Sequence, residues 1–166
     1  IPIYARLRKE GRDAEASEVA RAVGTLLALA ATVMAAIGVL AARPLVDVIA
    51  WGFEPEYREL TIELVRILFP GIALLVASAW CLGVLNSHRK FFLPYVSPVL
   101  WNLALITASF MAGRRFATDL EHQVVWISWG VVIGSAAQFL VQLPSVVRLL
   151  RGIQPSLAFG NSYVKE

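Results

Sequence analysis

Long runs without charge alternate with short charged stretches along this chain. Residues 22–42, 67–87, 91–113 and 124–147 contain no Asp, Glu, Lys or Arg. A helix needs roughly 20 mainly apolar residues to cross the ~30 Å hydrocarbon layer of a bilayer, and every one of these runs is long enough. In hydrocarbon, water cannot satisfy backbone N–H and C=O groups, so the runs are expected to be helices. A barrel would show short segments of alternating polarity instead. The pattern therefore predicts an all-α, polytopic membrane protein whose four transmembrane helices form part of a larger helical bundle.

The connections carry their own patterns. Residues 3–21 place charges at helical spacing among sparse apolar points (Tyr4, Leu7, Ala14, Val19). This predicts a short, solvated surface helix broken at Gly11, with Asp13 as the candidate cap of the next helix; a lipid-binding basic segment is the alternative, against which Glu10, Asp13, Glu15 and Glu18 dilute the positive charge. After the first span, Leu45–Phe53 is apolar but too short to cross. It is expected to lie in the interface, with Trp51 at headgroup depth. Glu54-Pro55 opens a further helix that runs into the second span, because proline suits a first turn and acids suit the positive helix end. Asn86–Lys90 is a tight loop, which predicts an antiparallel hairpin of the second and third spans.

Several positions within the spans stand out. Pro70 removes a hydrogen bond to the carbonyl of Arg66 and is expected to kink the second span. Pro94, Pro98 and Asn102 follow at intervals of four and share one face of the third span. The two prolines are expected to free the carbonyls of Lys90 and Pro94, which then need Ser97, water or a neighbour. Such a helix either packs inside protein or lines a wet path. In the fourth span Gln138 and Gln142, again four apart, are expected to face protein rather than lipid. Trp126 and Trp129 suit the outer aromatic belt, Pro144 is expected to close the span, and Gly130/Gly134 form a GxxxG pair suited to close packing. The first span is rich in small residues, including Gly24, Ala28 and Gly38, as is the second at Ala79 and Gly83.

Composition agrees with the pattern. The 166 residues are 58% hydrophobic, against the ~45–50% of soluble domains, and the mean hydropathy is +0.66. The net charge of +3 matters through its distribution and is no signal for nucleic acid. Ten Lys and Arg precede the first span, lie in the 86–90 loop, or follow the last span; five occupy the other two connections. The positive-inside rule then places the N-terminus, the 86–90 loop and the C-terminus in the cytoplasm. The lone Cys81 lies mid-span, so no disulfide or metal–thiolate framework is expected. Nucleotide loops, metalloprotease motifs and serine elbows are missing, and His88 and His122 read as ordinary loop histidines. No catalytic residue, metal or cofactor is expected. With no Asp, Glu, Lys, Arg or His in any span, an ion-coupling site on these helices is not expected either.

Ile1-Pro2-Ile3-Tyr4, Phe69-Pro70, Gly83-Val84-Leu85-Asn86-Ser87, Phe91-Phe92, Pro94, Ser97-Pro98-Val99, Asn102 and Gln142-Leu143-Pro144 occur in an order that resembles the MurJ/MviN family of lipid II flippases, of the multidrug/oligosaccharidyl-lipid/polysaccharide exporter superfamily. The resemblance implies about a third of a protein of some fourteen helices in two lobes. Ile1-Pro2 would end a preceding helix, and 148–166 would be a cytoplasmic connection. The whole protein would move the lipid-linked peptidoglycan precursor across the bacterial inner membrane by alternating access. The lipid bilayer and that precursor are then the expected partners, the latter bound by parts outside this chain. A related exporter of other lipid-linked sugars or drugs, and a membrane scaffold associating through Gly130/Gly134, are the alternatives. Tyr95 and Trp101 stand where the family leads us to expect smaller residues. Pro70, Asn86, Pro94, Pro98, Asn102, Gln138 and Gln142 are the candidates for helix shaping or a pathway. Arg66 and Arg89 read as membrane-edge anchors.

Overall fold

A computed structural model describes residues 2–150. Ile1 and residues 151–166 lie outside it, and with them Arg151, Lys165, most of the 148–166 connection and half of the Ile1-Pro2 reading. The described residues form six helices and no strand: α1 (Pro2–Lys9), α2 (Asp13–Leu40), α3 (Ala42–Ile49), α4 (Pro55–Ser87), α5 (Phe92–Arg115) and α6 (Leu120–Leu149). Four of them, α2, α4, α5 and α6, are long and apolar enough to cross a membrane. The chain is a multi-pass membrane protein.

The long helices stand in the spatial order α2, α4, α6, α5. Helix α6 packs extensively on both α4 and α5, whereas α4 and α5 scarcely touch despite their short connection. The expected α4/α5 hairpin is therefore corrected: the chain does reverse at residues 88–91, but α6 separates the two helices. The reason lies in complementary surfaces. Gly130 and Gly134 of α6 face Ala104, Ala108 and Trp101 of α5 so closely that a Cβ on Gly130 would lie 2.3 Å from Cβ of Ala108. On the α4 side, Gly71 faces Val132 of α6. Helix α2 reaches α4 the same way, with Trp80 over Gly24 and the Phe69 ring over Gly38. Lipid tails are as apolar as leucine, so close van der Waals approach, rather than escape from water, selects these partners.

Helix ends show local logic, some of it hidden from the sequence. Gly11, at φ +75°, ends α1 in a Schellman turn: Arg12 N donates to Leu7 O (3.0 Å) and Gly11 N to Arg8 O (3.1 Å). Arg89, at φ 55°, does the same for α4, with Lys90 N on Leu85 O (3.0 Å) and Arg89 N on Asn86 O (3.0 Å). A left-handed non-glycine residue costs about 1 kcal/mol. Asp13 is the first residue of α2 and not its cap; Arg12 holds the cap position, and its side chain pairs with Glu15 instead of capping the helix. Asp119 caps α6, accepting from His122 N (3.1 Å).

The proline expectations divide. Pro94 is third in α5, where an N–H has no acceptor within the helix, so it breaks no helical bond at Lys90. Pro98 lies deeper and does remove the bond to Pro94 O. Pro70 and Pro144 both lie inside uninterrupted helices with exposed rings, so Pro144 does not end α6.

Helix α3 docks Ala42 and Val46 against Ile62 of α4, leaving Val48, Ile49 and Trp51 exposed. Arg43 pairs with Glu59 through two bonds (2.8 and 2.9 Å), and Arg58 pairs with Asp47, fixing α3 to the start of α4. Helix α1 is not merely solvated. Tyr4 and Leu7 are buried in a cluster with Ala16, Val19, Leu85 and Val146, which closes the bundle end formed by α1, the start of α2, the α4–α5 connection and the end of α6.

Candidate functional site

The third and fourth spans were expected to carry the polar chemistry; that of the fourth converges on Ser78 of α4. Gln138 Nε2 donates to Ser78 Oγ at 3.0 Å, and Gln142 Nε2 donates to the same oxygen at 2.7 Å. Gln142 Nε2 also donates to Gln138 O at 3.0 Å. These bonds fix the amide orientation: turning the Gln142 amide over would put its oxygen against the Gln138 carbonyl. Gln142 is 1% exposed, and its Oε1 has no donor among the described residues. Three neutral polar side chains thus link α4 to α6 within their long apolar helices, where an interhelical hydrogen bond of this kind is worth about 0.6–2 kcal/mol.

The other candidates stand apart from this cluster. Pro94 is buried on α5 and Pro98 is half-buried. Asn102 turns outward, and its Nδ2 donates locally to Pro98 O at 3.1 Å. Ser97 is fully buried, yet its Oγ has no hydrogen-bond partner among the described residues, so it does not serve the carbonyl that Pro98 frees. Trp101, unexpectedly large, lies against Gly134, whose missing side chain makes room for it. Pro70 and Asn86 are exposed. Pro94, Pro98 and Asn102 therefore trace a face that turns from the bundle to its outside.

A second constellation lies at the α1 end and escaped sequence reasoning. The Tyr4 hydroxyl meets His88 Nε2 at 2.5 Å, and Arg8 Nη1 donates to Ser87 O at 2.8 Å. Arg8 also pairs with Asp13 (3.6 Å). Together they bind α1 across 79 to 84 residues of sequence to the α4–α5 connection. His88 is therefore no ordinary loop histidine. His122 also has a partner, its Nδ1 lying 2.7 Å from Asp119. Ser78, Tyr4 and His88 gave no signal because their partners lie on distant segments and share no spacing with them.

Electrostatics keep the Tyr4–His88 contact in one protonation state. Burial pushes the Tyr4 hydroxyl up, so it remains a donor. Burial, and then the positive charges of Arg8 and Lys90, push His88 below its ordinary 6.5, so it remains a neutral acceptor. An undocked His88 takes up a proton at higher pH than a docked one. The contact's contribution is thus present above pH 6.5, and it declines as pH falls from 6.5 towards the lowered value. Tryptic cleavage within α1, taken relative to an unstructured reference peptide so that trypsin's own pH dependence cancels, is expected to rise as pH falls from about 7.5 to about 5.5, and His88→Gln should flatten that dependence. An equal acceleration in both proteins would assign it to other groups.

Among the described residues no group of His, Cys, Asp and Glu is placed to hold a metal. The arrangement holds helices together.

The comparisons with known proteins follow from the whole length of the chain. The family described as "Lipid II flippase MurJ" matches residues 1–166. A lipid II flippase MurJ of Burkholderia cenocepacia is 33% identical over 99% of this chain and 32% of its own length. A probable lipid II flippase MurJ of Buchnera aphidicola subsp. Schizaphis graminum is 26% identical over 97% of the chain and 31% of its own. One of Bdellovibrio bacteriovorus is 28% identical over 85% and 27%. The chain thus spans about a third of the length of the relatives it matches.

Proposed function

Because this chain belongs to the MurJ family of lipid II flippases, we propose that the whole protein containing it translocates the lipid-linked peptidoglycan precursor from the inner to the outer leaflet of the bacterial plasma membrane, as a transporter and not an enzyme. The observation that carries this reading is the family match along all 166 residues.

The geometry supports a definite share of that work for these helices. Moving a large anionic headgroup through hydrocarbon demands a polar, cation-lined cavity, since an uncompensated charge there is expensive. The four spans carry no Asp, Glu, Lys, Arg or His within 22–42, 67–87, 91–113 or 124–147. They form the framework of one lobe and leave headgroup binding to helices outside this chain. The Ser78–Gln138–Gln142 links and the glycine seams make α2, α4, α6 and α5 one stiff wall. Alternating access requires such a wall, because a lobe that rocks must move as a unit.

Sidedness follows from charge. The α1 end carries Arg6, Arg8, Lys9, Arg12 and Arg21, then Arg89, Lys90 and Arg148, and faces the cytoplasm. The α3 end, with Trp51, Trp126 and Trp129 exposed, faces outward.

The test is complementation. Expression of the full-length protein in bacteria depleted of their own lipid II flippase is expected to restore growth and surface-accessible lipid II. Correct insertion without either would assign the protein to exporters of another cargo.

A further inference from the structure

Two cavities meet at Arg21, and their chemistry is that of a lipid molecule. The first is an apolar groove of about 270 Å³ between α2, α4 and α6, walled by Gly24, Ala28, Ala77, Phe139 and Leu143. Glycine and alanine on two of the three helices keep it open. The second is a polar cavity of about 380 Å³ towards α1, walled by Tyr4, Arg8, Asp13, Ser17 and His88. Arg21 and Leu150 line both.

Arg21 is the charged residue nearest the hydrocarbon on α2, immediately before the uncharged run that starts at Ala22. Its Nε donates to Ser17 O one turn back at 3.2 Å, and among the described residues no carboxylate pairs with its guanidinium. The negative charge of Asp13, on the wall of the polar cavity, is already shared with Arg8. One positive charge therefore remains at the junction. Trp80 marks the depth: its indole Nε1 donates to Ala20 O at 3.1 Å while its ring covers Gly24, the placement of an amphipathic ring at the headgroup boundary.

We propose that this junction holds one anionic glycerophospholipid, with an acyl chain in the α2/α4/α6 groove and its phosphate on the Arg21 guanidinium. A guanidinium presents a planar fork that matches two phosphate oxygens, and it is more weakly hydrated than an ammonium, which suits the membrane edge. The Tyr4 hydroxyl and Ser17 stand on the same cavity wall to receive headgroup hydroxyls. The surplus positive charge selects an anionic lipid over a zwitterionic one. The lipid would join α2, α4 and α6 along this groove, as a structural component independent of the transported cargo.

Native mass spectrometry of the full-length protein in mild detergent, incubated with phosphatidylglycerol or with phosphatidylcholine of the same chains, tests this. One phosphatidylglycerol per protein should survive activation that strips phosphatidylcholine. Arg21→Ala should lower its retention by roughly fivefold, the size expected for one arginine at an anionic surface. Arg21→Lys should keep part of it, and Ala28→Phe should abolish it by filling the groove. Arg115→Ala, at the opposite end, should change nothing. Equal retention of both lipids, equal loss in Arg21→Ala and Arg115→Ala, or displacement by inorganic phosphate alone would overturn the proposal. Because no transport is measured, failure here is distinct from failure of the flippase reading.

Discussion

Replacing Gly130 and Gly134 together by leucine should separate α6 from α5 and remove most of the folded protein. A Cβ on Gly130 would lie 2.3 Å from Cβ of Ala108, and one on Gly134 would lie 3.0 Å from the carbonyl oxygen and ring of Trp101. Neither can be absorbed by one flexible side chain, because both meet atoms anchored to the α5 backbone. Overpacking costs about 1–3 kcal/mol per site, so the pair is expected to lose roughly 2–6 kcal/mol. A full-length fluorescent fusion should show a markedly lower melting temperature and reduced monodisperse yield. The same variant separates two readings of the GxxxG pair. These glycines face α5 of their own chain, so self-association should not change. An unchanged melting temperature with a lost oligomer would return the pair to the role of a dimer seam and favour a scaffold.

Leu7→Asp is expected to detach α1 from the bundle. Leu7 is fully buried among Tyr4, Val19, Leu85 and Val146 at the water-facing end, where the hydrophobic effect operates in full. Truncating a buried leucine to alanine costs about 2–5 kcal/mol, and a carboxylate there adds the penalty of burying an unpaired charge. Trypsin should then cut readily at Arg6, Arg8 and Lys9, sites that the docked helix protects. Tyr4→Phe serves as the graded companion. It removes only the hydroxyl that meets His88, a contact worth about 0.5–1.5 kcal/mol, and should raise cleavage far less. Cleavage of Leu7→Asp at the wild-type rate would mean that α1 contributes nothing to holding this end together.

The two predictions concern opposite failures of sequence reading. The GxxxG spacing made Gly130 and Gly134 legible as packing positions, but not which helix they meet. For α1, alternating charges around sparse apolar points suggested a solvated connection. Tyr4 and Leu7, three apart, were in fact the buried stripe of a docked helix. Eight residues are too few for that stripe to stand out from chance. Gln138 and Gln142 were legible as polar residues needing partners. Ser78, the partner of both, was not, because a serine on an apolar helix is unremarkable until a donor faces it. Pro94 and Pro98 looked equivalent by spacing, yet only Pro98 lies deep enough in α5 to remove a helical bond.

Sequence alone determined that this chain holds four runs long and apolar enough to cross a membrane as helices, and which family it resembles. Those are local properties: each run's apolar character sums residue by residue, whatever lies beside it. Tertiary structure alone decided that α6 separates α4 from α5, that Trp101 fits because Gly134 is bare, and that α1 closes the bundle end through Leu7, Tyr4 and His88. In lipid, helices gain little from mere apolarity against one another, so neighbours are chosen by shape match and hydrogen bonds between segments far apart in sequence. No periodicity within one helix encodes the surface of another.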